Sequence, residues 1–311
     1  MTQGIFIAGD WGTTRLRLAL CDGATIIDRK TGPGIAVLTD PVDLAFLSLT
    51  EEWRAAHGPL PAFLCGMVGS RNGWREAPYA SCPADPRSLR AAALSFTAGG
   101  CRISIGPGLT CTNPLGAPDV MRGEETQILG ALLGHPDLAR GRHLIALPGT
   151  HTKWVALENG TVTRFMTVPT GELYALLRTH STLTKAGPPP TGDTVLDSLP
   201  GFRAGLSRRH EVRAQADLLA TLFEVRTRQL IDKMPPDDAI GFLSGLLIGA
   251  DVDSALRGFG KPDQVHLIGE PALAQLYAMA LMEENVASSV LDGNDCAFAG
   301  LRSIFADPAM V

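Results

Sequence analysis

The apolar run Ile5-Phe-Ile-Ala-Gly-Asp10 is followed by alternating apolar and polar positions through Arg15-Leu-Arg-Leu-Ala-Leu20, which predicts two strands joined by the polar turn Trp11-Gly-Thr-Thr14. The pattern returns without a gap at an offset of 137 residues: Gly12-Thr13 matches Gly149-Thr150, Ala19-Leu20 matches Ala156-Leu157, Gly23 matches Gly160 and Gly34 matches Gly171. Gly23 and Gly160 each follow Asp or Asn, a hairpin signal, so both halves are predicted to begin strand, turn, strand, turn, strand. A repeat on this scale is the primary fact about the architecture.

Between the repeats the spacing predicts helices over Ala45–Ala56, Arg87–Ala98 and Gly123–Leu133, the last with Ile128, Leu129, Leu132 and Leu133 as its buried stripe. Ala62–Val68 reads as a buried strand, and Ser104–Ile105 as a continuation of the sheet. Beyond the second repeat, Gly171–Ser181, Arg208–Leu230 and Ala239–Gly249 are predicted helical, and the Pro- and Gly-rich stretch Lys185–Pro200 a loop that closes over a cleft. Val265–Gly269 is a strand ending in glycine, followed by a helix over Ala272–Glu283 and a further strand–glycine–helix unit around Gly293–Ile304. The expected organisation is two domains, 1–142 and 143–311, with the last helix returning to the first.

Composition narrows the function. The chain has 311 residues, 45% hydrophobic and 19% charged, with a formal net charge of −5, so no basic surface recommends nucleic acid or an anionic membrane as partner. The six cysteines contain no C-x-x-C pair, which argues for reduced thiols rather than a zinc site or a disulfide framework. Met1 leads almost directly into the first strand, and the apolar run Ile240–Ala250 is short and glycine-interrupted, so a soluble cytoplasmic protein acting on a small molecule is expected. A homo-oligomer is left open.

Asp10 ends the first strand where a carboxylate could hold a hydrated metal ion, and Gly12, Thr13 and Thr14 offer N–H groups and hydroxyls to phosphate oxygens. The same residues also make an ordinary hairpin turn.

Two hairpin repeats, each opening an α/β half, with a late strand–Gly–helix unit, resemble the superfamily of sugar kinases, actin and heat-shock ATPases. The resemblance implies an α/β protein of two similar lobes with the actin-like ATPase (ribonuclease H-like) fold, the nucleotide cleft lying between them. It implies Asp10–Thr14 as the first phosphate loop, with Asp10 on Mg²⁺, and Leu147–Lys153, with Gly149, Thr150 and Thr152, as the second. Adenosine contacts fall to Gly245, Gly269 and Leu273. The blocks Leu64–Tyr79, Asp119–Gln127, Leu147–Trp154, Thr170–Tyr174 and Phe242–Gly249 are similar to those of one family, 2-dehydro-3-deoxygalactonokinase. Glu270 after the adenosine glycine, and Asn285 where glycine is expected, depart from its pattern.

That resemblance implies transfer of phosphate from Mg·ATP to the 6-hydroxyl of 2-dehydro-3-deoxy-D-galactonate in galactonate breakdown. Such a transfer needs charge neutralisation, in-line positioning and a group to receive the hydroxyl proton, for which Glu124 and Asp119 are the candidates. Asp119 could equally cap the following helix, and Glu124 could simply favour its N-terminus. Arg71 is the first choice for the sugar-acid carboxylate and Arg122 the second, each with a neighbouring acid, Glu76 or Asp119, as its alternative partner. Ser70, Trp74 and Tyr79 are placed around the sugar, His151 near a phosphate, and Arg17 in solvent. The rivals are a phosphohydrolase of the same superfamily, in which a Glu-Glu pair orients water, and a nucleotide-binding protein without catalysis.

Overall fold

The computed structural model describes residues 4–185 and 199–305. The chain divides into two compact units: Met1–Arg142 with Val155–Phe165 and Asp292–Val311, and His143–Trp154 with Met166–Leu291.

The first unit is built on strands β1 (Ile5–Trp11), β2 (Arg15–Asp22), β3 (Thr25–Pro33), helices α1 (Val42–Leu49) and α2 (Glu51–His57), and strand β4 (Ala62–Gly66). Then come β5 (Tyr79–Ser81), α3 (Pro86–Ala91), β6 (Leu94–Ala98), β7 (Cys101–Ile105), β8 (Gly108–Thr112), β9 (Pro118–Met121) and α4 (Glu124–Gly134). A six-stranded sheet runs β3-β2-β1-β4-β7-β6, with β4 parallel to β1 and β7 parallel to β4; a smaller sheet has the order β5-β8-β9.

The second repeat supplies β10 (Arg142–Leu147), β11 (Thr152–Glu158) and β12 (Thr161–Val168). They are followed by α5 (Thr170–His180), α6 (Leu199–Val212), α7 (Leu218–Leu222), α8 (Glu224–Leu230), α9 (Pro236–Phe259), β13 (Gln264–Gly269), α10 (Pro271–Glu283), β14 (Ala287–Asp292) and α11 (Gly293–Phe305). Their sheet has the order β12-β11-β10-β13-β14, with β13 parallel to β10.

Strand alternation decides which residues reach the site. Ile7 and Trp11 join the cluster holding Phe46 of α1 and Trp53 of α2, whereas Phe6 and Ala8 face the opposite layer with Leu129 of α4 and Phe298 of α11. Asp10 continues this second row, which aims its carboxylate toward the α4 side of the sheet.

Several sequence expectations are corrected. The helix expected over Arg87–Ala98 stops at Ala91, because Leu94, Phe96 and Ala98 alternate with exposed Ser95 and Thr97 and form a strand. Thr50, whose hydroxyl donates to Phe46 O at 2.8 Å, separates α1 from α2. Arg208–Leu230 is three helices, since Gln215 and Ala216 both donate their N–H to Val212 O and close the first one. In α4, Leu133 is exposed and Glu125 takes its place on the buried face. The helix expected over Ala239–Gly249 runs for 24 residues, with Pro236 at its start and Gly260 (φ +82°) at its end. That length and composition suffice to cross a membrane, contrary to the sequence reading, but 78% of the apolar window is buried inside the protein, as in a core helix. The loop expected over Lys185–Pro200 lies outside the described residues except at its ends, and Leu199 and Pro200 belong to α6.

Candidate active site

The two hairpins share more than sequence. A Cβ on Gly34 would collide with Thr13 O and Arg15 N, and a Cβ on Gly171 would collide with Gly149 O. Only glycine lets the third strand's exit lie so close under the loop, and the offset of 137 carries this requirement from one copy to the other. The contacts are fastened by backbone bonds: Ile35 N donates to Gly12 O and Ala36 N to Thr13 O in the first copy, and Glu172 N to Thr150 O in the second. Thr13, Thr14, Thr150 and His151 are exposed at the loop tips. Gly12 N–H is already used, donating to Arg15 O at 2.9 Å within the turn. Thr152 is fully buried with its hydroxyl 2.7 Å from the Tyr277 hydroxyl, which corrects its placement among the phosphate ligands. His151 pairs with Glu172 at 2.7 Å.

Asp10 stands in register with Arg17 on β2 and Cys65 on β4. Arg17 Nη1 lies 3.3 Å from Asp10 Oδ2, and the Cys65 thiol donates to Oδ1 at 3.9 Å. Arg17 is therefore half-buried and paired, not simply solvated as expected. Burial raises the Asp10 carboxyl above its ordinary range; Arg17 opposes this and nearby Glu124 adds to it.

Glu124 and Glu125 open α4. Gly123, at φ +108°, makes the turn into the helix, and both carboxylates fold back over it: Arg122 N donates to Glu124 Oε2 at 3.1 Å and Gly123 N to Glu125 Oε2 at 2.6 Å. Glu125 is 2% exposed, and burial, followed by the charge of Glu124, pushes its carboxyl up to about 8. Asp119 lies in β9, so it caps no helix; it accepts from Val120 N at 2.8 Å and from Asn113 Nδ2 at 3.4 Å.

The sugar candidates separate. Arg71 is 86% exposed, with Glu76 3.8 Å away, so its alternative partner is present but loosely held. Arg122 packs its guanidinium 4.3 Å over the Tyr79 ring and donates to Ala77 O, rather than pairing with Asp119. Trp74 lies between Phe46 and Phe96 as part of the hydrophobic cluster, and Ser70 donates to Met67 O.

In the second unit, Gly245 faces α6: a Cβ there would strike Phe202 O, so this glycine serves the close helix packing that its spacing from Gly249 also allowed. Gly269 sits beside Pro148 of the second loop, and Leu273 packs against the core. Glu270, where the family pattern was departed from, caps α10 by accepting from Leu273 N at 3.0 Å. Asn285 adopts φ +53°, a conformation that asparagine tolerates better than most residues. A cavity of about 350 Å³ opens beside the first turn of α5, bordered by Thr170, Leu173, Leu218, Leu247, Asp251 and Arg257. Asp251 is buried at its wall and accepts from Trp154 Nε1, Thr170 Oγ1 and Tyr277 OH at 2.7, 2.5 and 2.5 Å.

The family model for 2-keto-3-deoxy-galactonokinase matches residues 10–304. The chain belongs to the 2-keto-3-deoxy-galactonokinase family. Within it, the chain is 37% identical over 301 residues to the 2-dehydro-3-deoxygalactonokinase of Escherichia coli (strain K12), covering 96% of this chain and 97% of that one. A crystal structure of a Sinorhizobium meliloti protein assigned to the same kinase superposes with a TM-score of 0.85 at 34% identity, covering 96% and 97% of the two chains. The activator of the 2-hydroxyisocaproyl-CoA dehydratase from Clostridium difficile, 13% identical, matches with a TM-score of 0.51 over 97% of this chain and 95% of that one, and shares the actin-like ATPase fold.

Sequence reasoning took Glu125 only as half of a Glu-Glu pair and did not single out Cys65, Thr170 or Asp251. Glu125 had a signal, since it precedes Ile128 by three and Leu129 by four and so lies on their buried face.

Proposed function

We propose that this family member is an ATP-dependent sugar-acid kinase that phosphorylates the 6-hydroxyl of 2-dehydro-3-deoxy-D-galactonate in galactonate catabolism. The observation that carries the reading is the near-full-length family match, which spans both hairpins and the Arg122–Glu125 turn. The name of the Escherichia coli relative supplies the substrate.

The residues present fit a bound Mg·ATP. Asp10 is one carboxylate at a strand end, side chain one-fifth exposed, and among the described residues no three His, Cys, Asp or Glu side chains cluster as a metal cage. A single protein carboxylate suits Mg²⁺, which keeps waters and takes phosphate oxygens as its other ligands. When bound, the ion would neutralise charge on the transferring phosphate. In the first unit the exposed Thr13 and Thr14 would offer hydroxyls to phosphate oxygens, and in the second unit Thr150 would do the same.

Glu124 is the better candidate for the base. Its charge is coupled to Asp10, so it lies near the metal-facing carboxylate, whereas Asp119 is engaged by its own strand and Asn113. Glu124 would take the proton of the attacking hydroxyl, and Arg71, exposed and cationic, would meet the substrate carboxylate. A panel of sugar acids and neutral sugars incubated with ATP and Mg²⁺ tests the proposal. A sugar phosphate formed from 2-dehydro-3-deoxygalactonate is expected; ATP turnover indifferent to every sugar acid would reject it.

A further inference from the structure

Behind Asp10 lies a row of buried polar side chains that the phosphoryl transfer as described does not use. Cys65, Thr126 and Glu125 are 1%, 2% and 2% exposed. The Cys65 thiol donates to Asp10 Oδ1 and is itself hydrogen-bonded to the Thr126 side chain. Thr126 Oγ1 lies 3.0 Å from Glu125 Oε1, and Glu125 Oε2 is held by Gly123 N at 2.6 Å. The contacts thus lead from the turn that presents Glu124, through three interior side chains, to the carboxylate facing the phosphate loop.

We propose that Glu125 is a positioning residue, acting through Thr126 and Cys65 to orient the Asp10 carboxylate and through Gly123 to hold Glu124 beside it. The inference rests on the kinase reading above for what Asp10 and Glu124 do. In this arrangement the Thr126 hydroxyl donates to Glu125 Oε1 and the Cys65 thiol donates to Asp10 Oδ1, so the row of side chains is tied to a carboxyl group at each end. With one Asp10 oxygen engaged by Arg17 and the other by Cys65, the direction left for a cation is fixed. Partners of this kind, one bond removed from a metal-facing carboxylate, typically change metal affinity or activity about 10–100-fold when removed.

The groups around Glu125 support positioning over simple packing. Asp10, Cys65 and Glu124 are the titratable neighbours that bear on this row from β1, β4 and α4, and a Leu or Met at 125 would fill the same space at lower desolvation cost.

The test measures the Mg²⁺ dependence of turnover, and in parallel the calorimetric affinity for Mg·ADP, in Thr126→Val, Thr126→Ser, Glu125→Met and Glu125→Gln. Thr126→Val is nearly isosteric and serves as the variant least exposed to misfolding. The Val and Met variants are expected to raise the Mg²⁺ concentration for half-maximal rate by about tenfold or more, with the sugar-acid KM unchanged, and to weaken Mg·ADP correspondingly. Ser, which keeps the hydroxyl, and Gln, which keeps an acceptor oxygen, are expected to restore both. Folded Val and Met variants with wild-type Mg²⁺ dependence and Mg·ADP affinity would overturn the proposal, as would equal losses in the conservative variants. Because Mg·ADP binding needs no sugar, a wild-type enzyme that phosphorylates no sugar acid would count against the kinase reading separately.

Discussion

Asp10 and Arg17 stand opposite each other across the first hairpin, with guanidinium and carboxylate 3.3 Å apart. Burial of the Asp10 carboxylate offsets its attraction to Arg17, so the pair contributes about 0–1 kcal/mol at most and its interest lies in the site rather than in stability. Asp10→Asn is expected to abolish Mg²⁺-dependent turnover while leaving the melting temperature nearly unmoved. Steady-state rates over a Mg²⁺ titration, with thermal melts alongside, provide the check; near-normal activity would remove Asp10 from the site.

Glu124→Gln should lower kcat by about 10²–10⁴, the usual contribution of a carboxylate base, with the KM values little changed. Asp119→Asn should be mild, because its carboxylate serves the β9 turn and Asn113. Single-turnover kinetics on the two variants compares them directly. A severe Asp119 variant beside a mild Glu124 variant would reassign the base.

Glu125 also makes stability depend on pH. Its carboxyl titrates near 8 in the folded protein, against an ordinary value of 4.5, so between these limits the folded state binds a proton that the unfolded state has released. The contribution of the neutral acid is complete below pH 4.5 and is lost as pH rises toward 8. Glu125→Gln removes this titration. The variant is expected to melt at a higher temperature than the wild type at pH 8, with the difference shrinking toward pH 5. Parallel melting curves across that range would refute the buried-acid assignment.

Arg71→Ala should raise the KM for the acid substrate more than the KM for ATP and leave the fold intact, since the side chain is 86% exposed and its ionic neighbour Glu76 is 3.8 Å away. Initial rates with each substrate varied in turn decide it. An equal change in both constants would discard the carboxylate role.

The fold was legible because the repeat is written in turns as well as strands. Gly34 and Gly171 each sit where the chain passes too close beneath a loop for any side chain, so the offset in the sequence is an offset in backbone geometry. The helix expected over Arg87–Ala98 was misread because Ala91–Leu94 carries no polar marker to separate a helical period from an alternating one. The α6–α9 packing explains Gly245: glycines four apart permit a close helix crossing, and the sequence alone did not distinguish that from an approach to a nucleotide. Asp251 escaped notice for a different reason. It is held by Trp154, Thr170 and Tyr277, far away in sequence, which only the folded chain brings together.

The most direct test follows the phosphorus. Phosphorus-31 NMR of the purified protein with ATP, Mg²⁺ and 2-dehydro-3-deoxy-D-galactonate should show one new phosphomonoester signal, coupled to the C6 protons and growing in step with ADP. Release of inorganic phosphate in step with ADP, with no sugar phosphate, would contradict the kinase assignment.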